Sequence, residues 1–224
     1  MPALLDLPVA VLGLYAGATQ PLAGGRPSAI LKRPVSGNVE LGALGLAGDM
    51  QADKRLHGGL DKALHQFPSE HYTALAHAFP AIGELLAAGS IGENIASVGM
   101  TEATVCLGDV YAFGAARIQV TQPRSPCAKI DRRYGVDGLA KHLQQLACCG
   151  WYYRVLQGGT VRAGVGLQLV ERQADALSLA LFHSTLRESR PPRARLERLA
   201  DMELLGAEWL KKLRSRLHWL ARHT

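Results

Sequence analysis

Cysteine is scarce in this chain and is spaced for neither of its commonest structural uses. Cys106, Cys127, Cys148 and Cys149 lack the paired spacing of a zinc site, and four in 224 residues are too few for a disulfide framework, so a reducing cytoplasm fits best. No run of ~18 uninterrupted apolar residues is present, which argues against a membrane span. The apolar opening from Met1 to Gln20 has no Lys or Arg before it and is broken by Asp6 and Pro8, so it reads as a lead-in and first strand and not as a secretion signal. There is no G-x-G-x-x-G fingerprint, which excludes a nicotinamide site of the usual kind. Internal repeats and low-complexity tracts are also missing.

What is present is an ordinary globular composition, 48% hydrophobic and 20% charged, enough for one core and a short appendage. Residues 187–224 hold ten Lys/Arg and five Asp/Glu, five of the chain's six net positive charges. From Val9 to about Val98, short β-type runs (Val9–Tyr15, Ser28–Lys32, Asn38–Leu41, Ile95–Val98) alternate with Gly-rich turns. One helix interrupts them, with Ser69 as its expected N-cap, an end near Phe79 and Pro80 after it. Asp109–Phe113 and Arg117–Gln122 flank Gly114-Ala115-Ala116 as a hairpin. Helices are expected at Asp137–Ala147 and Trp151–Leu156, then a closing strand at Gly166–Glu171. Three helical stretches follow, near Asp175–Leu186, Pro192–Leu205 and Ala207–Arg222, the last with Leu210, Leu213, Leu217 and Leu220 on one face. The fold class is α+β, mainly β, with a body at 1–173 and a small three-helix domain at 174–224.

Chemistry concentrates in Gln122-Pro123-Arg124-Ser125-Pro126-Cys127-Ala128-Lys129. Two prolines stiffen the backbone around one cysteine just after a strand. Arg124 and Lys129 place positive charge beside it in sequence, which favours the thiolate, a ligand for soft metals or a nucleophile. Burial as a small apolar residue is the competing reading of Cys127, and plain burial is the expectation for Cys106, Cys148 and Cys149. A second constellation runs Gly45–Asp49, Gln51–Asp53, His57-Gly58-Gly59 and Asp61–Ala63. Its glycines bring backbone N–H groups close to an anion or simply satisfy turn geometry. His65, His71 and His77 recur at sixes, which does not align them on one helical face, and they are expected on the surface. The tail cations Arg187, Arg190, Arg193, Arg195, Arg198, Lys211, Lys212, Arg214 and Arg216 could meet nucleic-acid phosphates, but a solvated helical surface explains them more simply.

Taken in order, Pro27–Ile30 with Lys32, Gly45–Asp49, Gln51–Asp53, His57–Ala63, Gly92–Asn94, Gly108-Asp109 and Gln122–Lys129 resemble the MOSC-domain family in its YiiM-like branch, over about Val9 to Glu171. The tail is similar to that branch's small C-terminal α domain. The resemblance implies a β-barrel-like fold and a molybdenum cofactor (molybdopterin) with Cys127 as metal ligand and catalytic residue. By the same resemblance Lys32, His57 with Gly58 and Gly59, and Arg124 hold the cofactor, and Ser125 and Asn94 line its pocket. It implies reduction of small N-hydroxylated substrates such as N-hydroxylated nucleobases, with electrons from a separate reductase. A sulfur carrier using a Cys127 persulfide is the alternative. Trp209 and Trp219 leave packing within the tail or a homodimer contact open.

Overall fold

The computed structural model describes residues 8–22, 25, 27–52 and 58–223. Its main sheet has eight strands: β1 (Val11–Ala16), β2 (Arg33–Pro34), β3 (Leu64–Pro68), β4 (Ile95–Ser97), β5 (Val110–Phe113), β6 (Ala116–Pro123), β7 (Trp151–Gln157) and β8 (Leu167–Glu171), in the order β8-β5-β6-β7-β3-β4-β1-β2. Every pairing is antiparallel except β3 with β4. The sheet curls back on itself: Val9, just before β1, exchanges both backbone hydrogen bonds with Leu167 of β8, at 2.9 and 2.8 Å. That closure removes edges that would otherwise stay unpaired. The fold class is the expected α+β, with a barrel-like body.

Two-residue periodicity places the side chains. In β7, Trp151 and Tyr153 point into the barrel core while Tyr152 and Arg154 point the other way. β3 is buried on both sides: Leu64 joins the barrel core, and Phe67 joins a second cluster with Tyr72, Leu75, Ile82, Ile130, Leu139 and Leu143. That cluster is supplied by α1 (His71–Ala78), a 3-10 segment at Pro80–Leu85, α2 (Lys129–Tyr134) and α3 (Leu139–Leu146). The hairpin between β5 and β6 turns on Gly114 at φ +57 with Phe113 opposite Ala116, the left-handed geometry that tight hairpins use.

The structure corrects several expected elements. Trp151–Leu156 is strand β7 and not a helix. Its aromatic and β-branched residues suit a pleated surface, and β6 and β3 pair with it on either side. Ser69 does not cap α1; Glu70 holds that position, with no side-chain cap. Ser28–Lys32 is strand only at Pro27–Ser28, and α2 was not foreseen. Among the described residues no helix is long and apolar enough to cross a membrane.

The tail folds as three helices, α4 (Leu179–Arg187), α5 (Arg193–Ala200) and α6 (Ala207–Arg222). Ser178 caps α4 by accepting from Leu181 N at 3.1 Å. Phe182, Leu196, Leu199 and Leu213 are fully buried and continue the barrel's own hydrophobic cluster. Phe182 meets Trp209 edge-to-face at 5.0 Å, and the Trp209 indole donates to Pro123 O at the end of β6. Tail and barrel therefore share apolar packing. Phe182→Ala should cost about 3–5 kcal/mol while urea unfolding stays a single transition with coincident fluorescence and circular dichroism. Two separated transitions would show that the tail is held independently.

Candidate functional site

An open cleft, about 580 Å³ counting its mouth, lies beside the barrel wall. Its described lining comes from the segment Ser28 to Lys32, the turn Asp49–Ala52, Lys62 and His65 at β3, Gly92 and Asn94 before β4, the segment from Arg124 to Lys129, and Tyr152 of β7. His65 and Tyr152 face each other directly across β3 and β7, ring centroids 5.4 Å apart.

Asn94 and Asp49 hold these pieces in place. Asn94 Oδ1 accepts from His65 N at 3.0 Å, while its Nδ2 donates to Tyr15 O at 3.1 Å and to Asp49 Oδ2 at 2.8 Å. Asp49 Oδ1 accepts from Gly17 N at 2.9 Å and from the Lys32 ammonium. Both members of the Lys32–Asp49 pair are buried, with side chains 7% and 1% exposed. Lys32 is therefore aimed by a carboxylate and not solvated.

Among the described lining residues the charge is one-sided: Lys32, Lys62, Arg124 and Lys129 against Asp49 alone. Arg124 is 7% exposed, and its Nη1 is buried without a hydrogen-bond partner among the described residues, a costly arrangement for a cation unless an anion meets it. Its backbone N donates to Gly150 O at 3.0 Å, and its guanidinium makes polar contact with Tyr152. Burial lowers the Lys32 pKa despite Asp49, and burial with the nearby Arg124 and Lys32 charges pushes His65 well below its ordinary value. His65 is thus a neutral imidazole, its Nε2 3.3 Å from Cys149 O. Behind this wall Glu93 is fully buried, its carboxylate accepting from Tyr72 and from Gly89 N at 2.5 Å, and burial raises its pKa.

The structure brings Cys127, Lys32, Asn94 and Arg124 to this one cleft. Cys127 is half-buried, and its carbonyl accepts from Ile130 N at 3.0 Å where α2 begins. Ser125 and Gly59 are exposed and do not line the cleft; Gly58 packs behind Gln51, which does. His57 lies outside the described residues. Asp49 and Lys62 lie in stretches marked in the sequence but were given no role there, Tyr152 was not singled out, and His65 was expected on the surface, whereas it is buried in β3. His71 is half-buried and His77 exposed. In the tail, Arg193, Arg195, Arg198 and Lys212 pair with carboxylates of the chain, and Arg187, Arg190, Arg214 and Arg216 donate to backbone carbonyls.

The MOSC domain model matches residues 53–168. Over 162 residues the chain is 44% identical to Protein YiiM of Escherichia coli (strain K12), covering 72% of each. It is 34% identical over 152 residues to a protein of Gibberella moniliformis (strain M3125 / FGSC 7600) named Reductase, covering 67% of this chain and 27% of that one. The crystal structure of YiiM from Geobacillus stearothermophilus superimposes with a TM-score of 0.78 at 33% identity, covering 94% of this chain and all of that one.

Two outcomes are expected from this geometry. Inorganic phosphate, tested against chloride at equal ionic strength, should raise the thermal midpoint by about 3–6 °C at tenfold its dissociation constant, and Arg124→Gln should abolish the rise. The neutral His65 binds no proton when folded but takes one up when unfolded near pH 6.5. Its contribution is therefore complete above pH 6.5 and is lost as pH falls toward the depressed folded value. His65→Gln should flatten the acid-side stability slope, measured by urea unfolding, by up to ~1.4 kcal/mol per pH unit. An unchanged slope would place a proton on the folded imidazole.

Proposed function

Because this chain belongs to the MOSC domain family, we propose that it is a molybdenum-cofactor-dependent reductase of N-hydroxylated compounds, N-hydroxylated nucleobases among them, with Cys127 as the metal's protein ligand. The observation that carries this reading is Arg124 Nη1, buried and without a hydrogen-bond partner among the described residues, in a cleft that also holds Lys32, Lys129 and Cys127. The residues present fit the cofactor. Its phosphate and pterin call for fixed cations and donors, and its metal calls for one soft protein sulfur. Among the described residues no group of three or more His, Cys, Asp or Glu is arranged to hold a metal. That suits a metal arriving with sulfur ligands of its own.

Lys32, Arg124 and Lys129 hold the anionic cofactor, with Asp49 and Asn94 fixing where Lys32 points. Tyr152 and the apolar wall of Ala29, Ile30 and Met50 narrow the space beside Cys127 and limit water. When bound, the cofactor supplies two-electron reduction, converting R–NHOH with two protons and two electrons to R–NH₂ and water. The electrons come from a separate reductase, since the sequence carries no dinucleotide fingerprint. The relative named Reductase supports an oxidoreductase role. We propose no nucleic-acid role, because eight of the nine tail cations put forward for phosphates hold carboxylates or carbonyls of the chain itself.

The test is elemental analysis with fluorescence of the oxidised pterin on protein from molybdenum-replete cells, alongside reduction of N-hydroxyadenine by a chemical donor. Metal and pterin should copurify with the protein. Cys127→Ser should lose activity by more than the roughly 10–100-fold typical of changes outside the ligand shell. A Cys127→Ser protein with intact metal and turnover would sink the assignment. A Cys127 persulfide without pterin would support the sulfur-carrier alternative.

A further inference from the structure

Arg124 directly follows the end of β6, and the three residues before it are each tied to another part of the chain. Thr121 Oγ1 donates to Asp61 O at 2.7 Å, next to the cleft residue Lys62. Gln122 is 2% exposed and accepts Gly206 N through its Oε1 at 2.8 Å. The carbonyl of the buried Pro123 accepts from the Trp209 indole at 3.3 Å. β5 pairs with β6 only from Ala116 to Gln119, so the end of β6 has no strand on that side among the described residues. The tail stands there instead, and two of the three ties come from it.

The contact is built closely on the tail side. Gly206 and Trp209 lie one turn apart at the start of α6, where Trp209 N donates to Gly206 O at 2.9 Å, so both ties come from one rigid turn. The backbone of Gly206, at φ −61 and ψ 151, is open to any residue. What demands glycine is proximity: a Cβ there would stand 2.4 Å from Gln122 Oε1. The Trp209 ring is held in turn, edge-to-face against Phe182 at 5.0 Å and under the Lys212 ammonium at 4.8 Å. Its N–H is thereby aimed at one carbonyl.

The Pro123 carbonyl and the Arg124 N–H belong to one planar peptide group and point in opposite directions. The carbonyl goes to Trp209 of the tail, and the N–H goes to Gly150 O of the barrel at 3.0 Å. Held at both ends, this plane cannot rotate without losing a bond. Its orientation sets φ of Arg124, while the ring fixes φ of Pro123, and any rotation is carried along the arginine side chain to the guanidinium. We propose that the three-helix tail is a working part of the cleft, with Trp209 and Gln122 as positioning residues that set the anion affinity of Arg124 from outside the pocket. Neither residue lines the cleft. The inference rests on the reading of the cleft as an anion site, and it is indifferent to which anion the cleft takes. Without the indole N–H the buried Pro123 carbonyl loses its donor, a defect that turning the peptide relieves at the expense of the Arg124–Gly150 bond. Coupling of this kind is reciprocal, so an anion that fixes Arg124 also tightens the indole contact.

The probe is inorganic phosphate, titrated against chloride at equal ionic strength into the full ¹⁵N-labelled chain, with exchange of the Arg124 amide and Trp209 indole protons followed by NMR. Trp209→Phe keeps a ring against Phe182 but has no N–H to donate. It should bind phosphate about fivefold more weakly, the low end of coupling between separate sites, and its Arg124 amide should exchange faster. Gln122→Met, similar in length but without the acceptor, should act in the same direction and serves if the first variant does not fold. In the wild-type chain phosphate should slow exchange of the Trp209 indole proton, and Arg124→Gln should remove that slowing. A tail contact that only adds stability would lower the unfolding midpoint and leave the phosphate dissociation constant alone. Folded variants with wild-type phosphate affinity and unchanged Arg124 exchange overturn the proposal. A wild-type chain that binds no phosphate would instead remove the anion reading, and the Arg124 exchange rates would then decide the clamp by themselves, faster exchange in the variants upholding it and unchanged exchange rejecting it.

Discussion

Asn94 has one side-chain oxygen and two side-chain hydrogens, and the protein commits all three. The oxygen takes His65 N from β3, one hydrogen goes to Tyr15 O of β1, and the other goes to Asp49. Asp49 in turn fixes Gly17 N and the Lys32 ammonium. One amide therefore couples two barrel strands to the loop that carries a buried cation. Without it the Lys32 charge would lose its aim and Asp49 one of its compensating donors, and an uncompensated charge in such a place is among the costliest defects a fold can carry. The cleft has its shape because this network is complete on the protein side.

On the ligand side the cleft has a sign. Among its described lining residues Lys32, Arg124 and Lys129 stand with Asp49, burial lowers the Lys32 pKa, and Arg124 Nη1 is buried with no hydrogen-bond partner among the described residues. An anion placed there would offset both costs. Preorganised charge of this kind favours tight binding because the protein pays little to reorganise when the ligand arrives. The soft Cys127 sulfur sits inside the same field, so metal and phosphate chemistry are served by one set of walls.

Local rules made much of this legible in the sequence. Alternation and turn glycines revealed β5, β6 and β8; leucine spacing revealed α6; the proline-framed loop marked Cys127 and Arg124, while Lys32 and Asn94 were pointed to by the family resemblance alone, and the structure gathers all four in one cleft. What escaped was non-local. Asp49 owes its role to partners 17, 32 and 45 residues away, which no window detects. His65 was read with His71 and His77 as one periodic set, but a strand ends and a helix begins between the first two, so the helical angle did not apply. Tyr152 was hidden by reading Trp151–Leu156 as helix, although three aromatics and a valine in that run already favoured a strand.

The short run Cys149-Gly150 is hydrogen-bonded on both of its faces. On the cleft side, Cys149 O meets His65 Nε2 and Gly150 O takes the backbone N–H of Arg124. On the other side, Gly150 N donates to Glu102 Oε1, and Glu102 Oε2 meets His71 Nε2. Because Gly150 has no room for a side chain and Ala147 is already strained, the run cannot adjust on one side without being felt on the other. A rigid segment bonded on both faces transmits displacement where a flexible loop would absorb it. The placement of Arg124 therefore shares a backbone residue with the buried Glu102–His71 pair.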